Sequence, residues 1–228
     1  MLDRVLSPTT RKNLALVART PLAERFYLAG GTAVALHLGH RRSYDLDFFT
    51  PEREFPIDLP RRELEPLGEL IVLHEGTGTF VGTLGGGQLS FFIYPYSLLE
   101  PFVPFEGIQV ASLPDLAAMK LEAISSRGTK RDFVDLYQIC QTVFPLVEVF
   151  RHFERKYAGV RYSMFHLLKS LAYFDDAEPD PMPEMLIPLD WAEVKQFFEG
   201  EVQRLMKVLT SDEQPATGNQ QPASEEQK

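Results

Sequence analysis

A single cysteine, Cys140, among 228 residues leaves no intrachain disulfide and no cysteine-cluster metal site open to this chain. Apolar runs long enough to span a bilayer are missing, and Met1-Leu2-Asp3-Arg4 lacks the apolar segment of a signal peptide. These absences predict a cytoplasmic protein with no membrane partner. Positive charge is in deficit: Lys+Arg is 23 against 32 Asp+Glu, a formal net charge of −9. A broadly basic domain that coats nucleic acid is excluded, whereas a local basic patch is not. The histidines (His37, His40, His74, His152 and His166) form no H-E-x-x-H or comparable pairing, so no zinc site is expected. Neither G-x-x-x-x-G-K-[ST] nor G-x-G-x-x-G occurs, which removes the P-loop and the dinucleotide fingerprint.

What the chain does have is core material: 44% hydrophobic residues and 17 Phe. Only residues 211–228 are without any aromatic or large aliphatic side chain, and they are predicted to be a disordered tail. The first half alternates short apolar runs with Gly and Pro. It predicts a helix over 9–19, a strand over 26–29 and a helix over 32–38 closed by Gly39. A strand over 44–49, a helix over 61–67 and a strand over 69–74 follow. Residues 79–84 and 88–94 flank Gly85-Gly86-Gly87 and read as a hairpin. After Val110 the texture turns helical. Ser112 is a candidate N-cap for a helix striped by Leu116, Met119, Ala123 and Ile124, and helical spacing continues over 130–143, 145–158 and 162–174. Residues 175–188 hold four prolines and read as a wrapped loop, after which Asp190 and Glu193 open a last helix to about Val208. The expectation is an α+β fold, with a mixed sheet and flanking helices in 1–110, a helical half in 111–210 and the tail in 211–228.

The informative stretch is 28–50, L-A-G-G-T-A-V-A-L-H-L-G-H-R-R-S-Y-D-L-D-F-F-T. Asp45 and Asp47 stand two apart in a strand-like run, so both face the same side with Ser43, and Tyr44, Leu46 and Phe48 face the core. Two carboxylates at ~4 Å repel by ~4 kcal/mol at an effective dielectric of ~20. A divalent cation removes that cost, and oxygen-only ligands suit Mg²⁺ or Mn²⁺. The plainer account is a strand edge with acids on its wet face. Gly30-Gly31-Thr32, where a strand ends and a helix opens, would present backbone N–H groups to a phosphate; a tight turn that needs glycine dihedrals is again the plainer account. Cys140 sits on an apolar helix and reads as a small buried hydrophobe. The run Phe91-Phe92-Ile93-Tyr94-Pro95-Tyr96 could stack bases, although hairpin and core packing explain it more simply.

Taken together, Gly30-Gly31-Thr32, the short helix, His40-Arg41, Ser43 and Asp45-x-Asp47 resemble the nucleotidyltransferase-superfamily signature, most closely in its AbiEii/AbiGii-type toxin form. A second block agrees: Ala111-Ser112-Leu113 through Lys120-Leu121-Glu122-Ala123-Ile124, then Arg127-Gly128 and Lys130-Arg131-Asp132-Phe133-Val134-Asp135-Leu136-Tyr137. The resemblance implies metal-dependent transfer of a nucleotide from an NTP to an acceptor such as RNA or tRNA, with a cognate antitoxin as a possible partner. It implies that Gly30, Gly31 and Thr32 hold the triphosphate, with Ser43 and Arg41 beside it, and that Asp45 and Asp47 ligate Mg²⁺ or Mn²⁺. Lys120 would neutralise phosphate charge, and Asp132, or less readily Asp135, would be the acid of the second block. Polymerase-like members carry a third carboxylate on a later strand; the candidate strand at 88–93 has none, which moves base catalysis to Asp132 or leaves it unassigned. An RNA acceptor requires Lys120, Arg127, Lys130 and Arg131 to concentrate positive charge beside the site. The competing expectations are transfer to a small molecule or a protein hydroxyl, and an inactive nucleotide- or partner-binding module.

Overall fold

The computed structural model describes residues 4–212. Helix α1 (Pro8–Val17) begins where the Ser7 hydroxyl accepts from Thr10 N and Pro8 occupies the first turn, a position that needs no N–H donor. One turn, α2 (Leu22–Arg25), leads to β1 (Tyr27–Ala29), and α3 (Gly30–Leu38) follows with no intervening loop. Gly39 closes α3 in the left-handed conformation, φ 65°. Strand β2 (Leu46–Thr50) returns antiparallel to β1 and pairs Ala29 with Asp47. That pairing sets the first turn of α3 beside the β2 acid.

Beyond α4 (Leu59–Leu64) and a 3-10 turn (Glu65–Leu67), strands β3 (Leu70–Gly76), β4 (Thr79–Leu84) and β5 (Gly87–Ile93) form an antiparallel meander. The glycine hairpin holds: Gly85 and Gly86 take φ 54° and 84°, the two positive values that a type I′ turn requires. Strand β5 runs parallel to β2 and places Ser90 next to Asp47. A second hairpin, β6 (Val103–Phe105) and β7 (Ile108–Val110), was not expected. Its strands are three residues long and one contains Pro104, so there is too little alternation to read; Pro104 is accommodated because β6 is an edge strand. Strand β7 joins β1 in parallel and completes a seven-stranded mixed sheet, β3-β4-β5-β2-β1-β7-β6.

Everything described after Val110 is helix or loop: α5 (Leu113–Ser126), α6 (Lys130–Thr142), α7 (Leu146–Lys156), α8 (Met164–Leu171) and α9 (Trp191–Asp212). Ser112, Thr129 and Ser163 cap α5, α6 and α8 by accepting from the N–H three residues on. The chain is an α+β protein, and one cluster of buried apolar side chains runs from Val5 to Val202 across residue 110. Helices α5 and α6 both pack on α3, which turns the helical half toward Gly30 and Gly31. The proline-rich loop wraps back to the same region, where Leu186 N donates to His40 O and Arg42 N donates to Glu184 O, each at 2.8 Å.

Three expectations shift. The strand predicted from residue 44 begins at Leu46, so Asp45 precedes it. Tyr44, expected in the core, is 48% exposed, and its hydroxyl donates to Glu184. Parity fails there because residues 43–45 are not continuous ladder: a lone bridge joins Ser43 to Leu6, and Thr10 Oγ1 donates to Tyr44 O at 2.8 Å. The last helix runs through Ser211 and Asp212, and the remainder of the tail expected over 211–228 lies outside the described residues. Among the described residues no single helix is long and apolar enough to cross a membrane.

Candidate functional site

The site is built where α3 starts. Gly30 has φ +64°, and a Cβ on it would stand 2.8 Å from Asp47 Oδ2; a Cβ on Gly31 would overlap Arg41 Nη2. The two glycines thus let the first turn of α3 close onto an acid and a guanidinium. Thr32 Oγ1 lies 2.6 Å from Ser43 Oγ and donates to Asp45 O. These two buried hydroxyls hold the backbone that carries Asp45.

The Asp45 side chain is 38% exposed and faces Arg131 Nη1 at 3.5 Å. Asp47, half-buried, has its carboxyl pushed above the ordinary range by burial and by the charge of Asp45, against the opposing pull of Lys120 and a hydrogen bond from Ser90. A carboxyl raised partly by the charge of a neighbouring carboxylate, with oxygen donors only, suits a divalent cation of the Mg²⁺ or Mn²⁺ kind.

Opposite them, α5 and α6 converge in a buried ionic network. Lys120 Nζ donates to Asp132 Oδ1 at 2.8 Å and lies 2.7 Å from Asp135 Oδ2. Arg41 grips Asp135 with two bonds, Nε to Oδ1 at 2.6 Å and Nη2 to Oδ2 at 2.8 Å, and His40 Nε2 is 2.8 Å from Oδ1. Asp132 also accepts from Thr129 Oγ1 at 2.7 Å and from Arg127 Nε at 3.1 Å. Burial alone would raise both acids. The cations win: Asp132 falls to about 2, and Asp135, between Lys120 and Arg41, drops well below the usual carboxylate range. An acid held that low is a poor proton acceptor near neutral pH. Burial likewise disfavours the charged Lys120, yet Asp132 and Asp135 hold it protonated.

Two adjoining cavities border this cluster, with the fully buried His40 and Asp135 behind their lining. The smaller, about 200 Å³, is lined by Gly31, Thr32, Arg41, Ser43, Asp45, Asp47, Lys120 and Asp132, with Arg127 and Arg131 at its side. The larger, about 520 Å³, shares Gly31, Asp47, Lys120, Arg127 and Asp132, adds Gly30, and continues over apolar Phe49, Phe92, Leu116 and Met119. Every residue given a leading role from the sequence therefore borders one or both, while Asp135, the lesser alternative to Asp132, lies buried behind them. Three residues outside that leading set stand out. Asp135 is the acid at the centre of the network, and its three-residue spacing from Asp132 on one helix was the available signal. Arg127 and Arg131, read from the sequence only as surrounding charge, present side chains 66% and 58% exposed. Lys130 does not belong with them, because its amine donates to Glu178 O and Asp180 O in the wrapped loop. Burial pushes the Cys140 thiol up to about 12, in keeping with a packing role.

The model of the family described as "Nucleotidyl transferase AbiEii toxin, Type IV TA system" matches residues 14–81 and 89–214. An Aquifex aeolicus (strain VF5) protein described as uncharacterised is 36% identical over 208 residues, covering 90% of this chain and 99% of that one. Among solved structures, MenT4, a nucleotidyltransferase toxin of Mycobacterium tuberculosis H37Rv, aligns with a TM-score of 0.52 at 18% identity, over 86% of this chain and 87% of that one. A Helicobacter pylori candidate nucleotidyltransferase aligns with a TM-score of 0.50 at 18% identity, over 90% of this chain and 95% of that one. At those identities the solved structures speak for the fold, while the family match covers most of the chain and both motif blocks. The chain belongs to the AbiEii family of nucleotidyltransferase toxins of type IV toxin–antitoxin systems.

Proposed function

We propose that this nucleotidyltransferase moves a nucleotide from an NTP to a hydroxyl of an RNA acceptor, tRNA being the candidate, with Mg²⁺ or Mn²⁺ held by Asp45 and Asp47. The observation that carries the reading is the shared cavity: two acids, the glycine-opened turn of α3 and two exposed guanidinium groups border one space. The acceptor hydroxyl oxygen bonds to the α-phosphorus as the bond to pyrophosphate breaks, and the hydroxyl proton passes to solvent. A bound cation would offset charge on the phosphate oxygens and orient that displacement. Gly30 and Gly31 admit the triphosphate against the first turn of α3, where unpaired N–H groups and the helix dipole favour anions. Arg127 and Arg131 border the cavity as exposed counter-charges. The pair between Arg131 and Asp45 is long and exposed, so releasing Arg131 toward a phosphate costs little. Lys120, Asp132 and Asp135 supply the frame: with its amine held by both acids, Lys120 adds positive potential from beneath while Asp132 aims Arg127. Membership of a type IV toxin–antitoxin family supports a cognate antitoxin as partner.

The test is transfer of labelled NTP to total cellular RNA with Mg²⁺ or with a chelator. The Asp45→Asn/Asp47→Asn variant should lose about 10²-fold or more of the transfer while staying folded, the scale expected when charge stabilisation is removed from the transition state. Undiminished transfer in that variant would overturn the metal assignment. Label passing to protein or small alcohols and not to RNA would overturn the RNA acceptor.

A further inference from the structure

Beside the larger catalytic cavity lies another, of about 440 Å³, which shares Tyr94 and Glu122 with it as a common wall. Five aromatic side chains form one side of its lining. Tyr94, Tyr96, Tyr157, Phe153 and Tyr162 follow one another in ring contact, at centroid distances of 4.8, 4.9, 4.6 and 5.0 Å. Phe153 and Tyr157 belong to the buried core and Tyr94 and Tyr96 pack against it, and the row opens to solvent at Tyr162, which at the rim is 40% exposed. Next to Tyr162, the exposed Arg161 makes no ion pair among the described residues. Glu122, on the shared wall, is the only acid in the lining.

The wall is also fixed in place. Lys156 and Asp115 form an ion pair at 2.6 Å with both side chains fully buried. From that pair, Lys156 Nζ donates to Ser97 O at 3.2 Å and Asp115 accepts from Leu99 N at 3.0 Å. The segment bearing Tyr94 and Tyr96 is thereby anchored to α5 and α7 before any ligand arrives, which reduces the ordering cost of binding. The hydroxyls of Tyr94 and Tyr157 bond to each other, so neither polar end is left unpaired in the wall.

We propose that this cavity receives an unpaired nucleobase of the acceptor strand, with Arg161 on the adjoining phosphate, so that the strand runs past the Tyr94–Glu122 wall and brings its hydroxyl toward Asp47. The inference rests on the RNA-acceptor reading above and adds the route by which the acceptor enters. Aromatic side chains beside a free cation are how single-stranded nucleic acid is held, because every base has a face to stack and every linkage a charge to meet. It also reconciles an acidic protein with a polyanionic acceptor: affinity comes from stacking and a few local cations, without a basic surface. Glu122, facing a base and not a phosphate, can accept from an exocyclic amino group.

The experiment uses the full chain and a fluorescein-labelled single-stranded RNA, with anisotropy for RNA affinity and calorimetry for NTP affinity. Tyr162→Ala should weaken RNA binding by about tenfold, within the range for one stacked base, and leave NTP binding unchanged. Tyr162→Phe should retain RNA affinity, because the ring and not the hydroxyl does the stacking. Arg161→Gln should lower the slope of log Kd against log salt by about 0.7, the value for one phosphate contact on a single strand. RNA that is labelled and bound equally well by Tyr162→Ala and Arg161→Gln would overturn the stacking site alone, as would a loss falling on NTP in place of RNA. Wild-type protein that labels other acceptors but no RNA would overturn the acceptor reading, and this site with it.

Discussion

Lys120 shows how far the surroundings of a side chain decide its part. Its charge sits between two buried carboxylates, and removing one partner from such a cluster leaves the other charges uncompensated. Lys120→Met should therefore cost about 3–5 kcal/mol in urea unfolding, a stability loss that comes with any loss of transfer. Asp132 carries the matching pH signature. Its carboxyl is near 2 when folded and about 3.9 when unfolded, so it stabilises the fold above the unfolded value and loses that contribution as pH falls from about 4 to about 2. The acid limb of a stability–pH profile should be shallower in Asp132→Asn over that window. Asp47 has the opposite sign. Its raised carboxyl means the folded protein holds this proton more tightly than the unfolded chain, so its ionised form at neutral pH costs stability. Asp47→Asn should raise the apo melting temperature at pH 7, with the gain shrinking as acid titrates the wild-type group. A site that sacrifices stability for a ligand behaves this way.

At the level of helices and strands, the two glycines at positions 30 and 39 make a controlled pair. Both have φ near +65°, yet a Cβ on Gly39 meets nothing within 4 Å while one on Gly30 reaches Asp47. Gly39→Ala should cost about 1–2 kcal/mol of left-handed strain and spare activity. Gly30→Ala should add displacement of the Asp47 carboxyl and lower kcat by about 10²-fold, the effect expected of a misplacement of about 1 Å. Comparing kcat with unfolding midpoints separates the two. Much of this layer was legible in the chain: Ser112 announces its helix, Gly85-Gly86 their turn, and Leu46 and Phe48 their core-facing parity. What was hidden depended on contacts between distant segments. The parity of Tyr44 yields to tethers from Thr10 and Val5, and the β6–β7 hairpin is stabilised by pairing with β1 more than by its own sequence. Asp135, from the sequence only the lesser choice beside Asp132, gains its central place when Arg41 and Lys120, 94 and 15 positions away, arrive on either side of it.

The whole molecule joins a mixed sheet to a helical half through one continuous core, and the site lies where they meet. Only that convergence makes the motif blocks at 28–50 and 111–137 one chemical object: α3 carries the first to the interior, and α5 and α6 fold over it. The net charge of −9 is distributed against this, with Arg127 and Arg131 left exposed at the cavity while most acids lie elsewhere. Nucleotide binding should accordingly depend on the cation at Asp45 and Asp47, since without it the cavity presents two carboxylates to an anion. Calorimetric titration of a non-hydrolysable NTP tests this most directly. Wild-type protein should bind in Mg²⁺ and fail to bind in chelator, and Asp45→Asn/Asp47→Asn should lose the dependence on Mg²⁺ while unfolding at no lower temperature than wild type. Binding of equal strength in the double variant, with the same dependence on Mg²⁺, would contradict the account.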